Sequence, residues 1–213
     1  MGRPRASDTD VATPERILAA AAAEFAQHGR ERATLADIAR RVGIRRPSLL
    51  YHYPSKDALY EAVVRDVFAR LTAVLAASMQ TPETSFEDRL EALVRAYAAF
   101  LADHPQHARI VLREMLADDG PGPTILREEI APILSAVVAF LEVAGGGVLR
   151  PNLPLQAAVM QVASDLLLQH AAGAVGPVMW GASSPGRSWQ LARALLIAGA
   201  QSTPPPHPEE EER

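Results

Sequence analysis

The sequence predicts an all-α chain, a three-helix N-terminal head followed by a larger C-terminal helical domain, with about nine helices in all. Three observations carry this expectation. Apolar residues recur at three- and four-residue spacing, no run alternates as a strand would, and Gly or Pro interrupts the pattern at helix-length intervals. At 213 residues and 48% hydrophobic, the chain can bury a full core.

In the first helix Thr13 is placed to cap and Pro14 falls in the first turn. Ile17, Leu18, Ala21, Ala22 and Phe25 make one apolar face, and Gly29 ends the helix. Thr34 and Asp37 then have capping-box spacing for a second helix, whose Ile38 and Val42 point inward and whose stop is Gly43. A very short third helix, RPSLLYHY, tolerates Pro47 in its first turn, and Ser55 opens a long fourth helix to about Ser78. Further helices are expected near 85–103, 105–117, 123–144, 154–172 and 185–200, the third of these kinked or split at Pro132. The domains read as a basic arm (1–12), a helix-turn-helix head (13–60), a ligand-binding and dimerisation domain (61–202) and a Pro/Glu-rich tail (203–213).

Charge is unevenly spread. Residues 1–60 hold ten Lys+Arg against seven Asp+Glu, a balance of +3, so a whole-chain charge of −4 leaves −7 on the remainder. A basic head on an acidic body suits a protein that meets a polyanion at one end. There is no cysteine, which removes disulfides and thiolate metal sites and fits the reducing cytoplasm. No targeting signal or membrane-spanning stretch is read, and no membrane partner is expected.

Two helices joined at Gly43, the second about two turns long, have the spacing of a helix-turn-helix, in which the second helix enters the major groove. On that second helix Leu49 and Tyr53 can face the core, leaving Arg45, Arg46, Ser48, Tyr51 and His52 on the remaining surface. Arginine can pair bidentately with guanine, tyrosine can meet a thymine methyl, and hydroxyl or imidazole groups can donate to phosphate.

The stretch ATLADIARRVGIRRPSLLYHYPSKDALYEAVV, residues 33–64, resembles the signature of the TetR (tetracycline-repressor) family of transcriptional regulators. The preceding RILAAAAAEFAQHG is similar to that family's first helix, and HPQHARIVLREML to a segment of several members. The resemblance implies a homodimeric, ligand-responsive regulator, by default a repressor, whose partners are a pseudo-palindromic double-stranded DNA operator and a small effector, which the scarcity of charged groups at inward positions suggests is apolar. It makes Arg45 and Arg46 base readers, Tyr51 a groove or phosphate contact, and Thr34, His52 and Lys56 phosphate contacts; Lys56 is the chain's only lysine. Leu50 departs from the family, standing where many members carry tyrosine. Arg3 and Arg5 could form a minor-groove arm, but a disordered segment is the favoured reading.

The resemblance also implies dimerisation through the 154–172 helix and the last helix, with Leu155, Val159, Val162, Leu166, Trp189, Leu195 and Leu196 as apolar contacts. Tyr97, Phe100, Arg113, Met115, Val137, Met160 and Gln169 mix large apolar groups with a few polar ones and are the candidate ligand-pocket residues. Arg113 could recognise an acidic group or instead pair with Asp118.

Competing classes find less support. His104 and His107 are three apart with no clear third ligand, and His104 can instead cap the helix that begins at Pro105, so no metal and no cofactor is expected. Ser164, Asp165 and His170 lie near one another without a nucleophile elbow or any dinucleotide motif, so no catalytic residue is assigned. A helical binding or scaffold protein without operator contact would be expected to lose the basic and aromatic residues of the third helix, which this chain keeps.

Overall fold

A computed structural model describes residues 14–80, 85–181 and 186–199. The proposed arm, Thr13 and the tail lie outside the described residues. Apart from one isolated bridge between Leu149 and Ile197, the described residues carry no β-pairing, and the fold is all-α as the periodicity predicts. None of the described helices is long and apolar enough to cross a membrane. The chain packs as two units, one reaching to Ala73 and including Leu101–Pro132, the other built from Val74–Phe100 and the residues from Ile133 onward.

The first unit holds α1 (Pro14–Arg32), α2 (Leu35–Val42), α3 (Arg46–His52), the first part of α4 (Lys56–Met79), the end of α5 (Phe86–Asp103), α6 (Pro105–Met115) and α7 (Gly122–Ile125). Ile17, Ala21, Ala22 and Phe25 are buried on one stripe of α1, which packs on α2 and α6. Gly29 breaks the regular helix at φ 77°, a left-handed conformation that favours glycine, and helical backbone then resumes to Arg32. Along α4, Leu59, Val63, Val67 and Leu71 are buried as their spacing predicts.

His107 lies buried on α6 with its ring centroid 4.7 Å from that of His104. Burial, then the neighbouring His104, pushes the His107 imidazole down to about 4 from an ordinary value of 6.5. Above the ordinary value both folded and unfolded chains carry it neutral. Below it the unfolded chain binds a proton that the folded chain refuses, so stability declines as pH falls from 6.5 towards about 4. The melting temperature is expected to drop between pH 6.5 and 5 in the native protein and to drop less in His107→Gln; identical profiles would contradict this assignment. His104 occupies the N-cap position of α6, but its side chain makes no capping hydrogen bond, which corrects the capping role expected for it.

The predicted 123–144 helix is divided. α7 passes through a π-helical turn, Leu126–Ile130, into α8 (Ala131–Ala144), just where Pro132 removes a backbone donor and crowds the preceding turn.

In the second unit, α9 (Leu155–Ala171) packs on α11 (Arg187–Leu196) and on a short α10 (Gly176–Trp180), which helical periodicity had left as a break. The last helix ends earlier than expected. Ile197 turns extended, and Arg150 donates to the carbonyls of Ala194 (2.7 Å) and Leu195 (3.3 Å), satisfying acceptors that a longer helix would have used internally. The need for glycine at 145 is steric, because a β-carbon there would lie 2.7 Å from the Leu141 carbonyl oxygen and from the Leu149 and Phe86 side chains.

Candidate nucleic-acid interface

Local chemistry sets the shape of the head. The Thr34 hydroxyl accepts from the Asp37 backbone N–H (3.1 Å) and donates to the Asp37 carboxylate (2.6 Å), closing the N-terminus of α2. That hydrogen bond, then the Arg40 guanidinium, holds the Asp37 carboxyl below its ordinary range. At the other end Gly43 takes φ 80°, and the N–H groups of Gly43 and Ile44 bond to the carbonyls of Arg40 (3.2 Å) and Ala39 (3.0 Å). This tight left-handed stop turns the chain into α3 within three residues.

α3 has one buried residue, Leu49, which is fully enclosed. Arg45, Arg46, Ser48 and Tyr51 stand exposed around it, and the Tyr51 ring, 86% exposed, touches His52 edge-on at 5.3 Å. Leu50, His52 and Tyr53 are half-buried. Among the described residues, other arginines of the head are engaged: Arg40 with Asp37 (2.6 Å), Arg41 with Glu24 (3.3 Å) and Arg30 with Asp57 (2.9 Å). Arg45 and Arg46 make no such ion pair among the described residues. The cations of α3 are thus open to an outside anion while those of α1 and α2 brace the head.

The structure brings Arg45, Arg46, Ser48, Tyr51 and His52 onto one short helix and its N-cap. Thr34 is exposed at the N-terminus of α2 with its hydroxyl engaged by Asp37, and Lys56 opens α4 with its ammonium donating to the Glu31 carbonyl (3.0 Å). Sequence spacing gave no signal for the Arg30–Asp57 and Lys56–Glu31 contacts, which join α1 to α4 across 27 and 25 residues.

Of the pocket candidates, Tyr97, Phe100, Val137, Met160 and Gln169 belong to the second unit, whereas Arg113 and Met115 belong to the first. The Tyr97 hydroxyl donates to the Ala163 carbonyl (3.4 Å), Phe100 and Val137 are buried, and Gln169 bonds to Asp165 (2.5 Å). Met115 is exposed, and the Arg113 guanidinium lies against Gly29. Among the dimer candidates Val162, Leu166 and Leu196 are buried within their own chain, while Leu155, Val159, Trp189 and Leu195 are half-buried. Asp165 is engaged by Gln169 and by the Trp180 indole (2.9 Å), and His170 by the Leu166 carbonyl (2.8 Å), so these groups do not assemble with Ser164 into a catalytic set. The described residues contain no group of three or more metal-ligating side chains suited to an ion.

A capped bracing helix, a glycine turn and a short outer helix carrying open cations and an exposed aromatic ring define a helix-turn-helix head. Residues 17–63 match the sequence profile of bacterial regulatory proteins, tetR family, so the head of this chain is similar to the heads of that family of transcriptional regulators. It is 33% identical over 124 residues to the HTH-type transcriptional regulator RutR of Escherichia coli K12, covering 57% of this chain and 55% of RutR. The chain thus aligns with only about half the length of that curated relative. The fold is shared with the fatty acid degradation regulator FadR of Bacillus halodurans (TM-score 0.64, 17% identity, 86% of this chain and 95% of that one). It is shared also with FadR of Bacillus subtilis, solved with stearoyl-CoA (0.64, 11%, 86% and 95%), and with SmeT, solved with triclosan (0.59, 20%, 92% and 98%).

Proposed function

We propose that this chain is a ligand-responsive repressor that binds a pseudo-palindromic operator as a homodimer and releases it on binding a small apolar effector. The observation that carries the reading is the outer face of α3, where Arg45, Arg46, Ser48 and Tyr51 stand exposed around a single buried anchor, Leu49. The exposed Tyr51 ring stands beside guanidinium groups that form no ion pair among the described residues. It suits a groove lined with base edges and phosphates.

In this reading Arg45 and Arg46 meet base edges, Tyr51 and Ser48 complete the groove contact, and Thr34, His52 and Lys56 hold phosphates. Thr34 and Lys56 would do so with geometry already fixed by Asp37 and by the Glu31 carbonyl. Dimerisation through α9 and α11 would present two α3 helices to successive major grooves, with Leu155, Val159, Trp189 and Leu195 offering apolar surface not already buried in the chain. The apolar nature of the effector rests on the apolar lining proposed for the body and on two proteins of the same fold, solved with stearoyl-CoA and with triclosan. An effector releases DNA only to the extent that it binds one spacing of the heads better than another.

Titrating the purified protein into duplex DNA across a salt series tests the reading. Affinity is expected to fall steeply with salt, since each phosphate contact displaces counterions. Salt-insensitive binding, or none to any duplex, would contradict it.

A further inference from the structure

Within the first unit, the last turn of α6 meets α4 through a buried polar contact. The Tyr60 hydroxyl, one turn beyond Lys56 on α4, donates to Glu114 Oε1 across 54 residues of sequence. Glu114 is 3% exposed, and its second oxygen, Oε2, has no hydrogen-bond partner among the described residues. That oxygen lies against Gly122, where a β-carbon would also come within 2.9 Å of the Glu114 β-carbon, so only glycine leaves room for the acid. The Tyr60 ring meets Phe25 of α1 edge-on at 4.9 Å, and the Arg30 guanidinium sits 5.8 Å from its centroid while holding Asp57. The preceding residue of α6, Arg113, lies against Gly29 at the break in α1. The last turn of α6 therefore touches α1 and the first turns of α4 through one cluster.

A buried carboxylate with half its acceptors unused is a poor source of stability, and an apolar pair of similar volume would serve a core better. Its directional bond does something an apolar pair cannot: it fixes the placement of α4's opening turns relative to α6, on which α1 packs. We infer that Tyr60 and Glu114 are positioning residues for DNA reading, holding the opening turns of α4 in the placement that aligns Lys56 and α3 for binding. The inference rests on the regulator reading above.

The test uses the duplex most enriched by the native protein from random DNA, with Tyr60→Phe, Glu114→Gln and Glu114→Leu compared well below their melting transitions. Tyr60→Phe should bind about tenfold more weakly, the loss of one hydrogen bond to a charged acceptor, with its salt dependence unchanged because no phosphate contact is removed. Glu114→Gln keeps an acceptor for the hydroxyl and should bind within about twofold of native, while Glu114→Leu should follow Tyr60→Phe. If Glu114→Leu does not fold, the contrast between Tyr60→Phe and Glu114→Gln decides. Native affinity in Tyr60→Phe, or an equal loss in Tyr60→Phe and Glu114→Gln, overturns the inference and leaves the regulator reading standing. A shallower salt slope in Tyr60→Phe would assign the residue to direct phosphate contact instead. A native protein that enriches no duplex overturns the regulator reading, and the pair's role with it.

Discussion

Replacing Leu49 by alanine is expected to destabilise the protein by about 2–5 kcal/mol and to abolish specific DNA binding, although Leu49 touches no base in the proposed arrangement. α3 runs only from Arg46 to His52, and Leu49 is its single buried residue, fully enclosed. A helix of two turns is not stable by propensity, so its position depends on tertiary anchoring. Truncating the anchor removes the transfer energy of the side chain and leaves a cavity where the helix's one fully buried side chain sat. The check is a denaturant melt paired with a duplex titration. Full stability would mean that α3 is held by something other than Leu49, while lost stability with native affinity would mean that α3 is not the reading element.

The second large effect concerns Arg45 and Arg46. Either change to alanine should cost about 1–3 kcal/mol on the preferred duplex and relax the preference at one base pair, because a bidentate arginine discriminates among base edges. The double variant should approach non-specific affinity. Lys56→Ala provides the contrast: it should weaken all duplexes alike and reduce the salt slope by about one contact. Neither arginine forms an ion pair among the described residues, so neither change should disturb the fold. Selected sequences that are unchanged in both single variants, with only the salt slope altered, would reassign both arginines to phosphate.

The head was legible because its signals are local. Thr34 and Asp37 announce a cap three residues apart, Gly43 announces a stop, and the spacing of Leu49 from the polar residues around it announces which face is buried. The interior of the first unit was not legible in the same way. Tyr60 and Glu114 meet across 54 residues, and a tyrosine between Leu59 and Glu61 reads equally as core or surface until its partner is known. The π-helical turn before Pro132 was half legible: proline forecasts a disturbance but not whether the helix bends, splits or widens. α10 escaped because Gly176 and Pro177 read as a break, whereas the proline sits in the first turn of a short helix that tolerates it. The last helix was overestimated for a tertiary reason, the Arg150 side chain meeting its final carbonyls from 44 residues away.

The central claim, that α3 reads an operator, is tested most directly by selecting bound sequences from random duplex DNA with the native protein. The account predicts enrichment of an inverted repeat whose half-sites repeat on the helical period of the duplex, as two α3 helices in successive major grooves require. Enrichment of no sequence, or of a single unrepeated site bound by one chain, would contradict it.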